Sequence, residues 1–264
     1  MYNDLNEEVI MSELISKIMP SSVKIHRNFY LLGLFGIAMA ALEGIVVVYL
    51  RQIYYPQRFE FPLTFLSPQM LSVEWLREVA TIVMLVSIGM VAGKNSLQRF
   101  SWFLYSFAIW DIFYYVWLKL LLNWPSSFFT WDILFLIPVP WIGPVLAPVI
   151  CSLTMVLFAG IIIHLQERGS VFRIKFQEWS LILIGVFIIL GTFIWDYSEI
   201  IIKDGLISRF WILANEKHLL KNILNYLPTH YNWVAFILGE MIILSAIALM
   251  FRRVKSNEYL KSAE

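Results

Sequence analysis

Six stretches of mostly apolar residues recur along the chain, and they limit the folds open to it more than any other feature. They fall at about 29–51, 70–93, 100–122, 146–165, 179–202 and 232–251. A helix rises about 1.5 Å per residue, so roughly 20 apolar residues cross the ~30 Å hydrocarbon layer of a bilayer. The chain is 59% hydrophobic and 15% charged, whereas soluble domains are about 45–50% apolar and about 25% charged. The sequence therefore predicts an all-α, polytopic integral membrane protein with about six transmembrane helices.

The domain organisation follows from these spans. We expect one transmembrane domain, 29–251, between a cytoplasmic amphipathic segment, 1–28, and a cytoplasmic basic tail, 252–264. Lysine and arginine are enriched on the cytoplasmic side of membrane proteins. Placing both termini in the cytoplasm puts twelve of the twenty lysines and arginines there, so we expect both ends inside. A short six-helix chain of this kind is typical of the plasma (inner) membrane of a bacterial or archaeal cell.

Local signals refine this outline. Ser67 followed by Pro68 predicts a helix start, because serine caps free backbone N–H groups and proline needs no donor at the first helical position. The apolar segment 133–145 contains three prolines, which disfavour a regular helix, and it predicts a buried or re-entrant approach to the fourth span. The amphipathic segments 4–19 and 209–227 predict docking surfaces for membrane partner subunits, and 209–227 also suits a lid at the outer interface.

Carboxylates inside the spans are the main functional signal. Counting along each helix from its cytoplasmic end places five of them in the outer half of the bilayer: Glu43, Glu78, Asp111, Asp196 and Glu240. Placing one charged side chain within a transmembrane helix costs about 2.5 to 3.5 kcal/mol on insertion scales. Such side chains therefore face an oppositely charged partner, a cavity or a pathway for ions or substrate. The sequence therefore predicts a shared polar layer, supplied by five different helices.

Cations and hydroxyl groups near this layer are few. Arg77 is the best partner for Glu43 or Asp111, and Tyr114 and Tyr115 share a helix face with Asp111. We therefore expect these residues, with the five carboxylates, to form the binding site.

Other polar and aromatic residues lie close to the same level. Arg51 and Lys119 are near enough to the outer boundary for their charged ends to reach water. Trp110 is placed near the middle of the bilayer, and Asp132 is expected in the loop above the layer.

The excess negative charge of these carboxylates can be removed by protonation. It can also be balanced by a divalent cation held by Glu43, Glu78 and Asp111, or by a cationic ligand. A divalent metal is the one cofactor that this pattern suggests. The four histidines do not form facing pairs for haem, and the chain has no phosphate-binding loop or dinucleotide fingerprint. The net charge of +1 argues against a nucleic-acid partner, because neutralising phosphates requires a concentrated basic face.

Three functions remain open at this point. The first is a protein that binds or carries a proton, a metal ion or a small cation. The second is a membrane enzyme that acts on a lipid or lipid-linked substrate at the outer leaflet, with paired carboxylates as acid and base or as metal ligands. The third is an accessory subunit of a larger membrane complex, in which the polar layer fixes helix packing.

Overall fold

A computed structural model describes residues 21–55, 59, 67–137, 139–203 and 228–262. These residues form, in chain order, α1 (Ser21–Tyr54), α2 (Pro68–Ala92), α3 (Ser96–Leu122), β1 (Trp131–Phe135), β2 (Trp141–Pro144), α4 (Leu146–Glu167), α5 (Phe176–Lys203) and α6 (Trp233–Ser262). Each helix contains a stretch long and apolar enough to cross a membrane, so the prediction of six such helices is confirmed. The predicted segments 4–19 and 209–227 lie outside the described residues.

The expectation of an all-α chain is wrong at one place, because β1 and β2 form an antiparallel hairpin. Its register pairs Trp131 with Pro144 and Asp132 with Gly143. The prolines exclude regular helix, as predicted, but the aromatic and β-branched residues between them favour extended backbone. The segment is partly buried, as predicted, and it forms a hairpin that places Asp132 against the helices.

Helix α3 is the centre of the first half of the fold. Helices α1 and α2 both pack along α3, rather than along each other, and α3 also packs along α4. Helices α5 and α6 form a second pair, which joins the first through contacts between α4 and α6. This arrangement leaves a space between α1 and α2 that is closed on one side by α3.

Small residues let α1 approach α3 closely. Ala40 is completely buried, and a Cβ atom added at Gly36 would lie 3.0 Å from Cγ2 of Ile109. The close approach brings Glu43, one turn further along α1, to Trp110 of α3. Large apolar side chains cover the outward faces of the helices, as expected for surfaces in contact with lipid.

Both ends of α2 are fixed by local contacts. Ser67 caps the helix by accepting a hydrogen bond from the backbone N–H of Met70 at 3.2 Å, so the predicted helix start is confirmed. At the other end, a Cβ atom at Gly93 would lie only 2.3 Å from the backbone nitrogen of Arg99. The chain can therefore reverse tightly here, and α2 returns along α3.

Candidate functional site

A cavity of about 140 Å³ lies among the C-terminal half of α1, the N-terminal half of α2, α3 and the hairpin. It is smaller than the ~300–1,000 Å³ pockets that hold drug-sized ligands. We call it the carboxylate cavity, because seven charged residues line it and five of them are acidic: Glu43, Arg51, Glu74, Arg77, Glu78, Asp111 and Asp132. Tyr54, Tyr55, Phe59, Trp110, Tyr114 and Tyr115 supply aromatic walls.

Arg77 forms the first charge cluster of the cavity. Its Nη1 donates to Glu43, as the sequence predicted, and its Nε donates to Oε2 of Glu74 at 2.9 Å. The indole N–H of Trp110 donates to the other oxygen of Glu43 at 2.9 Å. One guanidinium group therefore joins two carboxylates, and the cluster links α1, α2 and α3.

Arg51 and Asp132 form the second charge pair, with Nη2 and Oδ1 3.4 Å apart. The expectation that Arg51 extends to water is wrong, because only 8% of the residue is exposed. Its guanidinium carbon lies 4.2 Å from the ring centre of Phe59 and 3.7 Å from that of Trp124. The hairpin explains this difference, since it carries Asp132 into the fold and gives Arg51 a buried partner.

Asp132 is 2% exposed, although the sequence suggested a position in the loop above the layer. Burial raises the pKa of its carboxyl group to about 6, and the charge of Arg51 opposes this rise. The contact with Arg51 therefore favours the ionised form of this carboxyl group, whereas burial disfavours it.

Glu78 and Asp111 have neutral hydrogen-bond partners. The backbone N–H of Leu136 donates to both carboxylate oxygens of Glu78, at 2.9 and 3.1 Å. The hydroxyl of Ser152 donates to Oδ2 of Asp111 at 2.7 Å. Within the part of the chain that the structure describes, neither carboxylate forms an ion pair.

The tyrosines predicted for the site, Tyr114 and Tyr115, also line the cavity. The bond that Asp111 accepts comes from Ser152 of α4, whereas the sequence suggested a tyrosine hydroxyl. Tyr114 lines the cavity together with both charge clusters, that of Arg51 and Asp132 and that of Arg77 and Glu43.

One of the predicted site residues, Glu240, does not line this cavity. Glu240 is buried between α4 and α6, where the hydroxyl of Thr154 donates to its Oε2 at 2.8 Å. Asp196 belongs to α5, but its side chain lies outside the described residues. The predicted layer therefore includes Glu43, Glu78 and Asp111 at one cavity and Glu240 at another helix contact.

Metal binding gains no support from this geometry. Among the described residues, no group of three or more histidine, cysteine or acidic side chains is placed to hold a metal ion. Glu43, one of the three predicted ligands, is already bound by Arg77 and Trp110.

The fold and this site define the class of the protein: a helical chain with six helices able to cross a membrane, and with a charged, aromatic cavity among three of them. No family model, curated protein or solved structure matches the chain. The chemistry of the carboxylate cavity is therefore the basis for a functional proposal.

Proposed function

We propose that the protein binds a small organic cation, one that carries an amine, in the carboxylate cavity. The observation that carries this proposal is the pair Glu78 and Asp111, two carboxylates without a cationic partner among the described residues, on the wall of one cavity. The whole cavity holds five carboxylates and two guanidinium groups, so it has three more acidic than basic groups. A bound cation supplies positive charge where the low dielectric of the membrane makes excess negative charge costly.

The aromatic walls favour an organic cation over a bare metal ion. Trp110 and the tyrosines of the cavity can each attract an ammonium group through cation–π contacts, worth about 0.5 to 2 kcal/mol. The N–H groups of an amine can donate to the lone pairs of the Glu78 and Asp111 carboxylates that Leu136 and Ser152 do not use. The small volume of the cavity suits a molecule of a few heavy atoms.

Binding of ethanolamine tests this proposal. We expect saturable, one-to-one binding by protein in lipid nanodiscs, measured by isothermal titration calorimetry. Replacing Glu78→Gln and Asp111→Asn together should weaken binding at least about tenfold, because two charge-assisted hydrogen bonds are lost.

Glu240→Gln is the matched control, since it removes a buried carboxylate that does not line the cavity. It should leave the affinity for ethanolamine unchanged. Absence of saturable binding by the wild type, or an equal loss in the control, would contradict the proposal and favour protonated carboxylates or a purely structural layer.

We also propose that both termini are cytoplasmic, in the plasma membrane of a bacterial or archaeal cell, and that the carboxylate cavity faces outward. The distribution of lysine and arginine supports this orientation. In a Cys151→Ser background, a membrane-impermeant maleimide should label Ser126→Cys in intact cells, because this exposed residue follows α3. Asn95→Cys, exposed at the other end of α3, should react only after permeabilisation. The reverse pattern would overturn the orientation.

A second function, catalysis on a lipid-linked substrate at the outer leaflet, is favoured by one observation. Arg77 and Glu78 follow each other on α2, and both line the same cavity. Arg77 would hold an anionic group there, and Glu78 would act as acid or base. Turnover of a lipid-linked substrate by purified protein, abolished by Glu78→Gln, would favour catalysis over cation binding as the function of the protein.

A further inference from the structure

We infer that the ligand of the carboxylate cavity carries an oxyanion next to its amine, and that Arg51 and Asp132 form the subsite for this second group. The inference rests on the proposed function, because the amine is assigned to Glu78 and Asp111. The ligand class is therefore a short zwitterion, an ammonium group joined to a phosphate or carboxylate through a few bonds.

The guanidinium group of Arg51 is held in place before any ligand binds. It lies against two rings, with its central carbon 3.7 Å from the ring centre of Trp124 and 4.2 Å from that of Phe59. Rings on a guanidinium plane fix its orientation and leave its N–H edge available for hydrogen bonds. The aromatic contacts therefore define a direction in which Arg51 can donate.

The hydrogen bonding of this pair is incomplete. Among the described residues, Nη1 of Arg51 and Oδ2 of Asp132 are buried and have no partner within hydrogen-bonding distance, although the hydroxyl of Tyr115 and the backbone N–H of Ile133 lie close enough to interact with the Asp132 carboxyl group. The contact that joins the two side chains is 3.4 Å long, whereas charged N–H to carboxylate bonds are typically about 2.7–2.9 Å. Buried groups of this kind are normally satisfied, so an unpaired donor and acceptor on one cavity wall indicate a missing partner.

An oxyanion that also carries or neighbours a hydrogen-bond donor satisfies both atoms. The fork of Arg51 binds phosphate or carboxylate oxygens, and Oδ2 of Asp132 accepts an O–H or N–H hydrogen. Arg77 is less suited to this role, since its Nη1 and Nε already bond to Glu43 and Glu74.

The two subsites are close enough for one small molecule. Both line the same cavity of about 140 Å³. Tyr114 lines this cavity together with both charge clusters, that of Arg51 and Asp132 and that of Arg77 and Glu43. A ligand that reaches from Arg51 to Glu78 or Asp111 in this volume must be short.

A comparison of two probes tests the inference. Ethanolamine carries the amine alone, and O-phosphoethanolamine adds the oxyanion. We expect wild-type protein to bind O-phosphoethanolamine at least about tenfold more tightly than ethanolamine, because the charge-assisted hydrogen bonds from Arg51 to the phosphate outweigh the repulsion of the phosphate by the neighbouring carboxylates. Equal affinities would overturn the inference, and this measurement needs no variant.

The double variant Arg51→Gln and Asp132→Asn then assigns the preference to this pair. Removing both charges together leaves neither buried without its partner. The ratio of the two affinities should fall from at least about tenfold to about one, whatever the change in either affinity alone. Persistence of the preference would overturn the role of Arg51. Failure of wild-type protein to bind either probe would instead contradict the proposed function itself.

The oxyanion and amine can belong to a lipid headgroup or to a free molecule. Native mass spectrometry of protein from nanodiscs that contain phosphatidylethanolamine separates these sources. Retention of that lipid, and its displacement by O-phosphoethanolamine, would identify a headgroup ligand. Binding of O-phosphoethanolamine without lipid retention would identify a free zwitterion, and both results support the inference. Absence of both overturns it.

Discussion

Arg77→Gln is expected to lower the free energy of unfolding by about 3 kcal/mol, a large effect for one side chain. Arg77 is the shared ion-pair partner of Glu43 on α1 and Glu74 on α2. Its removal leaves two mostly buried carboxylates without a cation, and it also removes a link between helices that do not pack along each other. The measurement is equilibrium unfolding in mixed detergent and SDS micelles, followed by helicity.

Two further variants show whether unpaired charge is the cause. Changing Glu43→Gln and Glu74→Gln in the Arg77→Gln background removes the charges that Arg77 balanced, so most of the lost stability should return. Arg252→Gln is the matched control, because Arg252 is an exposed arginine at the other end of the bundle. It should change the free energy of unfolding by less than about 0.5 kcal/mol. An Arg77→Gln variant as stable as Arg252→Gln would mean that the cluster contributes nothing to stability.

The helices were predictable because the bilayer sets a strict length and composition for them. Each predicted span overlaps a helix of the structure that is long and apolar enough to cross. The start of α2 was also predictable, since Ser67 and Pro68 act through local backbone geometry. The hairpin was not, because its prolines exclude helix without indicating which strands pair.

The site was only partly predictable, because counting along a helix gives the depth of a residue but not the neighbour that it faces. Depth grouped Glu43, Glu78 and Asp111, and these three residues line one cavity. It also included Glu240, which lies at a similar predicted depth but bonds to Thr154 instead. Helix packing decides this difference, and packing depends on contacts between segments distant in sequence.

The cavity also contains charged residues that the sequence did not assign to the site, and they differ in how far local spacing could have indicated them. Glu74 lies one helical turn before Glu78 on α2, so the four-residue spacing was a signal that both face the cavity. Arg51 and Asp132 are 81 residues apart and meet only because the hairpin folds back against the helices. No local sequence pattern indicates such a pair. The ligand subsite inferred here could therefore come only from the three-dimensional arrangement.

Gly239→Ala is expected to lower the free energy of unfolding by about 2 kcal/mol, because the added methyl group overfills the contact between α5 and α6. A Cβ atom at Gly239 would lie 2.7 Å from Cγ1 of Ile189 and 2.9 Å from the backbone oxygen of Gly185. The isoleucine side chain can rotate, but a backbone oxygen moves only if the helix moves. The two helices must therefore separate, and the buried apolar contacts along them weaken.

Gly191→Ala provides the matched control for this prediction, since it adds the same methyl group within α5 where nothing lies within 4 Å. Alanine also favours helix over glycine by up to about 1 kcal/mol, so this variant should equal or exceed the wild type in stability. Unfolding of both variants in mixed micelles should therefore show that Gly239→Ala is less stable than the wild type and that Gly191→Ala is at least as stable. Equal stability of the two variants would mean that the backbones of α5 and α6 do not approach as closely as only glycine allows. The contact between the two helices would then depend on the side chains that flank the glycines.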